Sequence, residues 1–335
     1  MMKIVLAGLS LLLLAGLPLA AQEEVETAPT PDIARCINLG NMLEAPTEGE
    51  WGLRVQEPWL QIIADAGFDT VRIPIRWSAH AADEAPYTID DAFFERVDAV
   101  VGWALDAGLQ AIVNIHHYEE IMPDPEGHHD RLLGLWAQIA DHYQDYPQTL
   151  IFEILNEPND KLTTNLWNRY QAEIVALIRT TNPERRLIVS GAGWGSVYEL
   201  PWVKLPADAD NLIVSFHNYE PFEFTHQGAE WVAGADRWVG RTWGTDVDYR
   251  NLDEYFDYAV QWGDRLDAPL FMGEFGAYSK ADMESRLLFT RAVVEQAEAR
   301  GIGWCYWEFA AGFGIYDSVT DTYNELYGAL IPDAS

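Results

Sequence analysis

Two hydrophobic periods alternate along this 335-residue chain. Eight short runs, each of four to six residues, are largely apolar and several are rich in Ile and Val: 36–40, 70–74, 111–115, 150–155, 186–190, 212–216, 270–273 and 303–307. That pattern suits strands covered on both faces. Between them lie stretches with helical spacing: 58–66, 90–107, 130–143, 164–180, 252–265, 281–300 and a tail from Asn324. In 90–107, for example, Phe94, Val97, Val101, Ala104 and Leu105 share one face. Gly67, Gly108 and Gly301 each sit just before a strand, where a helix would be capped. Eight strands alternating with helices predict the α/β class, as a single (β/α)8 TIM barrel. The fifth unit is irregular, since 191–210 has no convincing helical pattern. Residues 217–250 read as a long loop rich in Trp, Phe and Gly. Loops of that length are usually functional or disordered, and the aromatic content favours function.

The first residues read differently. Lys3, an apolar run from Ile4 to Leu17 and the small residues Ala20 and Ala21 predict a signal peptide over 1–21. The run is short for a membrane span. A polar, proline-containing lead-in follows at 22–32, and the remaining 33–335 form one catalytic domain. The expected location is therefore secreted, periplasmic or extracellular, as a monomer without a membrane anchor.

Net charge narrows the partners. At −32, the chain should repel nucleic acid and anionic membrane surfaces. The charge also keeps an exported protein soluble, and it is compatible with a neutral substrate. Fourteen Trp and fifteen Tyr exceed what packing alone asks for and suit stacking on flat uncharged ligands. Only Cys36 and Cys305 are present. They fall on the first and last strands, which a closed barrel makes neighbours, so either a bridge or two buried thiols would fit.

The chemistry sits at strand ends. Strand 150–155 runs into Asn156-Glu157-Pro158, and strand 270–273 runs into Glu274-Phe275-Gly276. A carboxylate at the end of a buried strand must be paired, hydrogen-bonded or shifted in pKa. Two of them are the minimum set for breaking a glycosidic bond: one to protonate the leaving oxygen, one to face the developing oxocarbenium ion. The other strand ends carry Asn41, Glu44, Arg72, His116, His117, His217, Tyr219 and Trp307. In a barrel such residues converge on one face. Arg72 and the Tyr219 hydroxyl are the candidates to keep Glu274 ionised. His217, two positions before Tyr219, should share its side of the strand, whereas adjacent His116 and His117 need not face the same way. Metal sites want three convergent ligands. His116 and His117 are adjacent, and His128-His129 reads as loop, so neither a metal nor a cofactor is expected. Gly191–Gly195 lacks the spacing of a phosphate cradle.

These motifs resemble glycoside hydrolase family 5. Asn156-Glu157-Pro158 and Gly273-Glu274-Phe275-Gly276 carry the resemblance. It is supported in order by Ile37-Asn38-Leu39-Gly40-Asn41, Gly67-Phe68-Asp69-Thr70-Val71-Arg72-Ile73-Pro74, Ile115-His116-His117-Tyr118 and Phe216-His217-Asn218-Tyr219. Glu44-Ala45-Pro46 and the stretch from Phe222 to Trp231 resemble a narrower group of bacterial endoglucanases that also cleave mannans. The resemblance implies a retaining endo-β-1,4-glucanase acting on cellulose, β-glucan or glucomannan, with an endo-β-1,4-mannanase or a dual-specificity cellulase/mannanase the alternative. It assigns Glu157 as acid/base and Glu274 as nucleophile. It makes Asn156 a partner of the sugar 2-hydroxyl, and both His116 and His117 site residues. Trp307 becomes the floor at the cleavage point, and Asn41, Glu44, His226 and Trp231 become hydrogen-bonding and stacking groups in the outer cleft.

Overall fold

Eight parallel strands close into a barrel in chain order. They are β1 (Arg35–Asn38), β2 (Thr70–Ile73), β3 (Gln110–Asn114), β4 (Leu150–Glu153), β5 (Leu187–Ser190), β6 (Leu212–Asn218), β7 (Leu270–Phe275) and β8 (Gly303–Tyr306). The helices are α1 (Glu57–Asp65), α2 (Asp91–Asp106), α3 (Pro125–His142), α4 (Thr164–Arg179), the single turn α5 (Phe222–Thr225), α6 (Asp246–Leu266), α7 (Met283–Ala299) and the short α8 (Leu326–Leu330). This computed structural model describes residues 32–206 and 210–332. The expected signal peptide and the lead-in up to residue 31 lie outside the described residues. Among the described residues, no helix is long and apolar enough to cross a membrane.

The barrel interior is layered by the two-residue period of its strands. Cys36, Ile112 and Ile151 join Ile188, Phe271 and Cys305 in an apolar plug. Two residues further along the same strands come Asn38, Asn114 and Glu153, all buried. The step from Ile to Asn or Glu within one strand thus builds a polar floor above an apolar plug. Outward-facing Val71, Ile73, Ala111, Val113 and Phe152 belong to the larger core against the helices.

Cys36 and Cys305 are register partners on β1 and β8 and form a disulfide, so of the two readings of this pair the bridge is the one present. The same seam is tied from outside. Tyr323 Oη donates to the Ile62 carbonyl (3.1 Å) and Tyr327 Oη to the Ala66 carbonyl (3.0 Å), both at the end of α1.

Several boundaries differ from the sequence reading. α3 begins at Pro125, because Asp124 accepts the Gly127 N–H and proline starts a helix at no cost in hydrogen bonds. His128 and His129 are therefore helical, not in a loop. α6 begins at Asp246, where Thr245 and Asp248 form a reciprocal capping box. The long loop before it therefore spans only 219–245, and it contains the α5 turn. β4 stops at Glu153, leaving Asn156 and Glu157 on the following loop, whereas β7 continues through Glu274. Trp307 lies one residue beyond β8. After β5, among the described residues, there is only a 3-10 turn, Val197–Trp202, in keeping with the irregular fifth unit.

Candidate active site

At the carboxyl end of the barrel lies a cavity of about 930 Å³. A carboxylate oxygen of Glu157, a ring nitrogen of His217 and a carboxylate oxygen of Glu274 all lie within 4.8 Å of one another there. The two acids arrive by different routes. Glu274 is carried on β7, opposite His217 of β6, where the ladder shifts register. Gly273 makes that shift feasible: a Cβ there would come within 2.9 Å of His217 Nε2 and 2.8 Å of Ser215 Oγ. Glu157 stands on the loop after β4 with a left-handed φ of 46°. Asn41 (64°), His117 (49°) and Trp194 (58°) share that uncommon conformation, and all four line the cavity. Left-handed backbone costs a non-glycine residue about 1–2 kcal/mol. Four such residues around one cavity mark where the fold spends stability on shape.

Glu274 is held from below and from the side. Arg72 Nη1 donates to its Oε1 (2.7 Å) and Tyr219 Oη to its Oε2 (2.9 Å). Burial raises the Glu274 pKa above the usual carboxylate range, while His217, Arg72 and the Tyr219 hydrogen bond all pull against that rise. Arg72 is wholly buried and makes four further hydrogen bonds: two to Glu153 (2.6 and 2.8 Å), one to Asn38 Oδ1 and one to Asn156 Oδ1 (both 2.8 Å). It acts through the residues it orients and does not itself line the cavity. Asn38 Nδ2 in turn donates to the Gly273 and Tyr306 carbonyls.

His217 Nδ1 lies 2.7 Å from Glu157 Oε1 and 3.8 Å from Glu274 Oε2. Burial alone would lower its pKa, but the Glu274 charge and the Glu157 hydrogen bond outweigh burial and raise it. The same three residues have the donor types of a metal site. Glu274, however, already accepts a guanidinium and a phenol, and His217 and Glu157 hydrogen-bond each other. The set thus offers a carboxyl group hydrogen-bonded to an imidazole and a second carboxylate whose charge is compensated.

The flanking residues divide into floor and walls. Trp307 stacks on His116 (ring centroids 5.8 Å, 11° between planes), and both line the cavity. His116 is buried, and desolvation, followed by the nearby His117 and Arg72 charges, holds its pKa well below the ordinary value. His117 also faces the cavity, edge-on to Trp51 at 5.6 Å. The adjacent histidines thus both reach the site, because left-handed backbone at His117 breaks strand alternation. His226, its pKa pushed down to about 4 by burial, stacks on Phe222 at 4.1 Å. Trp231 is 61% exposed against Tyr278 and Phe313.

Glu44 departs from expectation. Its side chain is not in the outer cleft. It is fully buried, and its carboxylate accepts the backbone N–H groups of Asn41 and Met42, so it shapes the Asn41 loop from behind. Desolvation pushes its pKa up to about 8. Residues that the sequence reading did not single out include Glu153 beneath Arg72 and the cavity-lining Trp51, Trp194, Tyr255 and Tyr278. The signal for Glu153 was an acid inside an otherwise apolar strand.

The family model "Cellulase (glycosyl hydrolase family 5)" matches residues 37–312. The chain is 38% identical over 287 residues to Endoglucanase H of Acetivibrio thermocellus, covering 86% of this chain and 30% of that protein. It is 31% identical over 305 residues to Endoglucanase B of Ruminococcus albus, covering 83% of this chain and 71% of that one. It thus spans less than a third of the first of these curated relatives. Among solved structures, Thermotoga maritima Cel5A in complex with cellobiose superposes with a TM-score of 0.88 at 50% identity, covering 89% of this chain and 97% of that one. The same enzyme in complex with mannotriose matches at 49% identity with the same TM-score and coverage. With its barrel, its two facing glutamates and this match over most of its length, the chain belongs to the cellulase family, glycosyl hydrolase family 5.

Proposed function

We propose that this chain is an exported, retaining endo-β-1,4-glucanase. The observation that carries the reading is the approach of Glu157 and Glu274 oxygens to within 4.8 Å. Retaining pairs lie about 5–5.5 Å apart, whereas inverting pairs need about 6.5–9.5 Å to admit a water. In the first step Glu157 gives its proton to the glycosidic oxygen while Glu274 attacks the anomeric carbon. In the second, Glu157 takes a proton from water as that water displaces Glu274. Arg72 and Tyr219 compensate the Glu274 charge, which lets a buried carboxylate stay ionised and aimed. His217 orients Glu157 and offers a second resting place for the proton. Asn156, itself held by Arg72, presents its amide to the sugar 2-hydroxyl. Trp307 supplies the floor.

The reading is tested with purified protein on carboxymethylcellulose, barley β-glucan, glucomannan and mannan, following product size over time. Early mid-chain cuts with retained anomeric configuration are expected, and Glu157→Ala and Glu274→Ala should each lose several orders of magnitude in turnover. Release of only mono- or disaccharides from the outset would sink the endo assignment. Mannanase activity is the second reading, favoured by the relative bound to mannotriose. The axial 2-hydroxyl of mannose would then have to be tolerated beside Asn156. Export after cleavage at Ala20 or Ala21 is read from the apolar leader, and N-terminal sequencing of secreted protein tests it.

A further inference from the structure

Tyr198 is 56% exposed in the 3-10 turn after β5. Its ring meets Tyr255 edge-on at 6.1 Å and Tyr258 at 5.5 Å, and Tyr258 meets Trp262 at 6.3 Å. Tyr255, Tyr258 and Trp262 recur every three or four residues on α6 and so share one face of it. Tyr255 also lines the cavity and anchors its wall, its hydroxyl donating to the His217 carbonyl at 2.7 Å. A continuous aromatic row therefore runs from the cavity wall out to the surface.

The turn is fixed on one side of the site. Trp194 N–H donates to the Pro158 carbonyl (3.2 Å), one residue past Glu157, and His217 N–H donates to the Gly195 carbonyl (2.8 Å). The row is thus anchored beside Glu157, the group proposed to protonate the leaving oxygen, and this points to the leaving-group side of the cut. Glu220 faces the cavity beside this row and offers acceptor oxygens to sugar hydroxyls. Carboxylates here, on a chain of net charge −32, oppose a polyanion and leave a neutral chain as occupant.

We propose that Tyr198, backed by Tyr255 and Tyr258, is an outer stacking platform for the leaving-group end of a β-1,4-linked glycan too long for the cavity alone. The proposal rests on the glycanase reading above. A sugar ring is apolar on its faces and hydroxylated on its rim, and a half-exposed phenol backed by other rings matches that without loss of its own partners.

The test compares wild type, Tyr198→Ala and Tyr198→Phe on two substrates. One is an aryl β-cellobioside, whose small leaving group stays inside the cavity. The other is cellohexaose. Tyr198→Ala should lower kcat/KM on cellohexaose about five- to tenfold, in line with about 1 kcal/mol of aromatic contact, and leave the aryl cellobioside within about twofold. Tyr198→Phe should behave as wild type on both. Equal losses on both substrates would mean that Tyr198 acts through Tyr255 on the catalytic wall and would overturn the platform. So would an unchanged rate on cellohexaose. Wild-type cleavage of the aryl cellobioside, abolished by Glu274→Ala, tests the underlying glycanase reading separately.

Discussion

Replacing Arg72 by Met probes the layer on which the whole site rests. Arg72 is fully buried and bridges two buried acids, Glu153 and Glu274, while also ordering Asn38 and Asn156. Met has similar length and no charge, so Arg72→Met leaves both carboxylates without their cation. Breaking a buried pair from one side costs about 3–5 kcal/mol, because the abandoned charge remains desolvated. That is a large part of a total stability of about 5–15 kcal/mol. At about 2 °C per kcal/mol for a domain of this size, Tm should fall by about 6–10 °C. The pH dependence has a definite sign. Glu274 already has a folded pKa above its unfolded value of 4.5, and Arg72 is one of the groups restraining that rise. Without Arg72 the folded value climbs further. The folded variant then holds a proton that the unfolded chain releases, so its stability deficit is small near pH 4.5 and grows as pH rises toward neutrality. In the proposed mechanism Glu274 attacks as the anion, so the acidic limb of kcat/KM should move to higher pH. Thermal melts at several pH values and a pH–rate profile read both effects. Arg72→Lys should restore charge but not the fork that serves Glu153 and Glu274 together, giving partial rescue. A Met variant that melts within about 1 °C of wild type and keeps its acidic limb would refute this account of the floor.

Three further outcomes are expected. Tyr219→Phe removes one hydrogen bond to Glu274. It should lower kcat by about ten- to a hundredfold, as loss of about 1.5–3 kcal/mol does, and shift the acidic limb upward, which a pH–rate profile checks. Glu44→Gln addresses the buried acid whose pKa rises from 4.5 unfolded to about 8 folded. Wild-type stability contributed by the extra proton is present below pH 4.5 and lost as pH rises through 8. The Gln variant should therefore be less sensitive between pH 4.5 and about 8, read by melting temperature against pH. Cys36→Ser/Cys305→Ser should cost about 2–5 kcal/mol, measured by denaturant unfolding, and thiol titration of denatured, unreduced wild type should find no free thiol.

The barrel was legible because its strands are apolar on both faces and its helices carry a clear helical spacing. The two acids that meet at the cavity, Glu157 and Glu274, were legible as candidates because an acid at the end of such a strand has no packing role. Other features depended on contacts that one local stretch does not encode. Glu153 sits within an apolar run, and its meaning appears only when β2 brings Arg72 beside it from 81 positions away. Glu44 stands near the other strand-end residues in sequence, yet a turn folds its carboxylate back onto Asn41 and Met42. Trp51 and Trp194 lie in loops without periodicity, so position alone did not separate cavity walls from surface. The early start of α3 was readable, since Asp124-Pro125-Glu126 is a helix-opening phrase, but the apolar spacing that marks the rest of the helix begins later.

The tyrosine contacts at the end of α1 join the stretch around α8 to the first helix. Tyr327 takes the Ala66 carbonyl, which α1 would otherwise leave bare, and Tyr323 adds a second donor to the Ile62 carbonyl, which already accepts the Ala66 N–H. A cut ahead of Tyr323 would thus strip the outer brace from a seam that the Cys36–Cys305 bridge still closes. The effect would travel inward along β1 and β8 to Asn41 and Trp307, so losing that brace would be felt as a looser wall of the cavity.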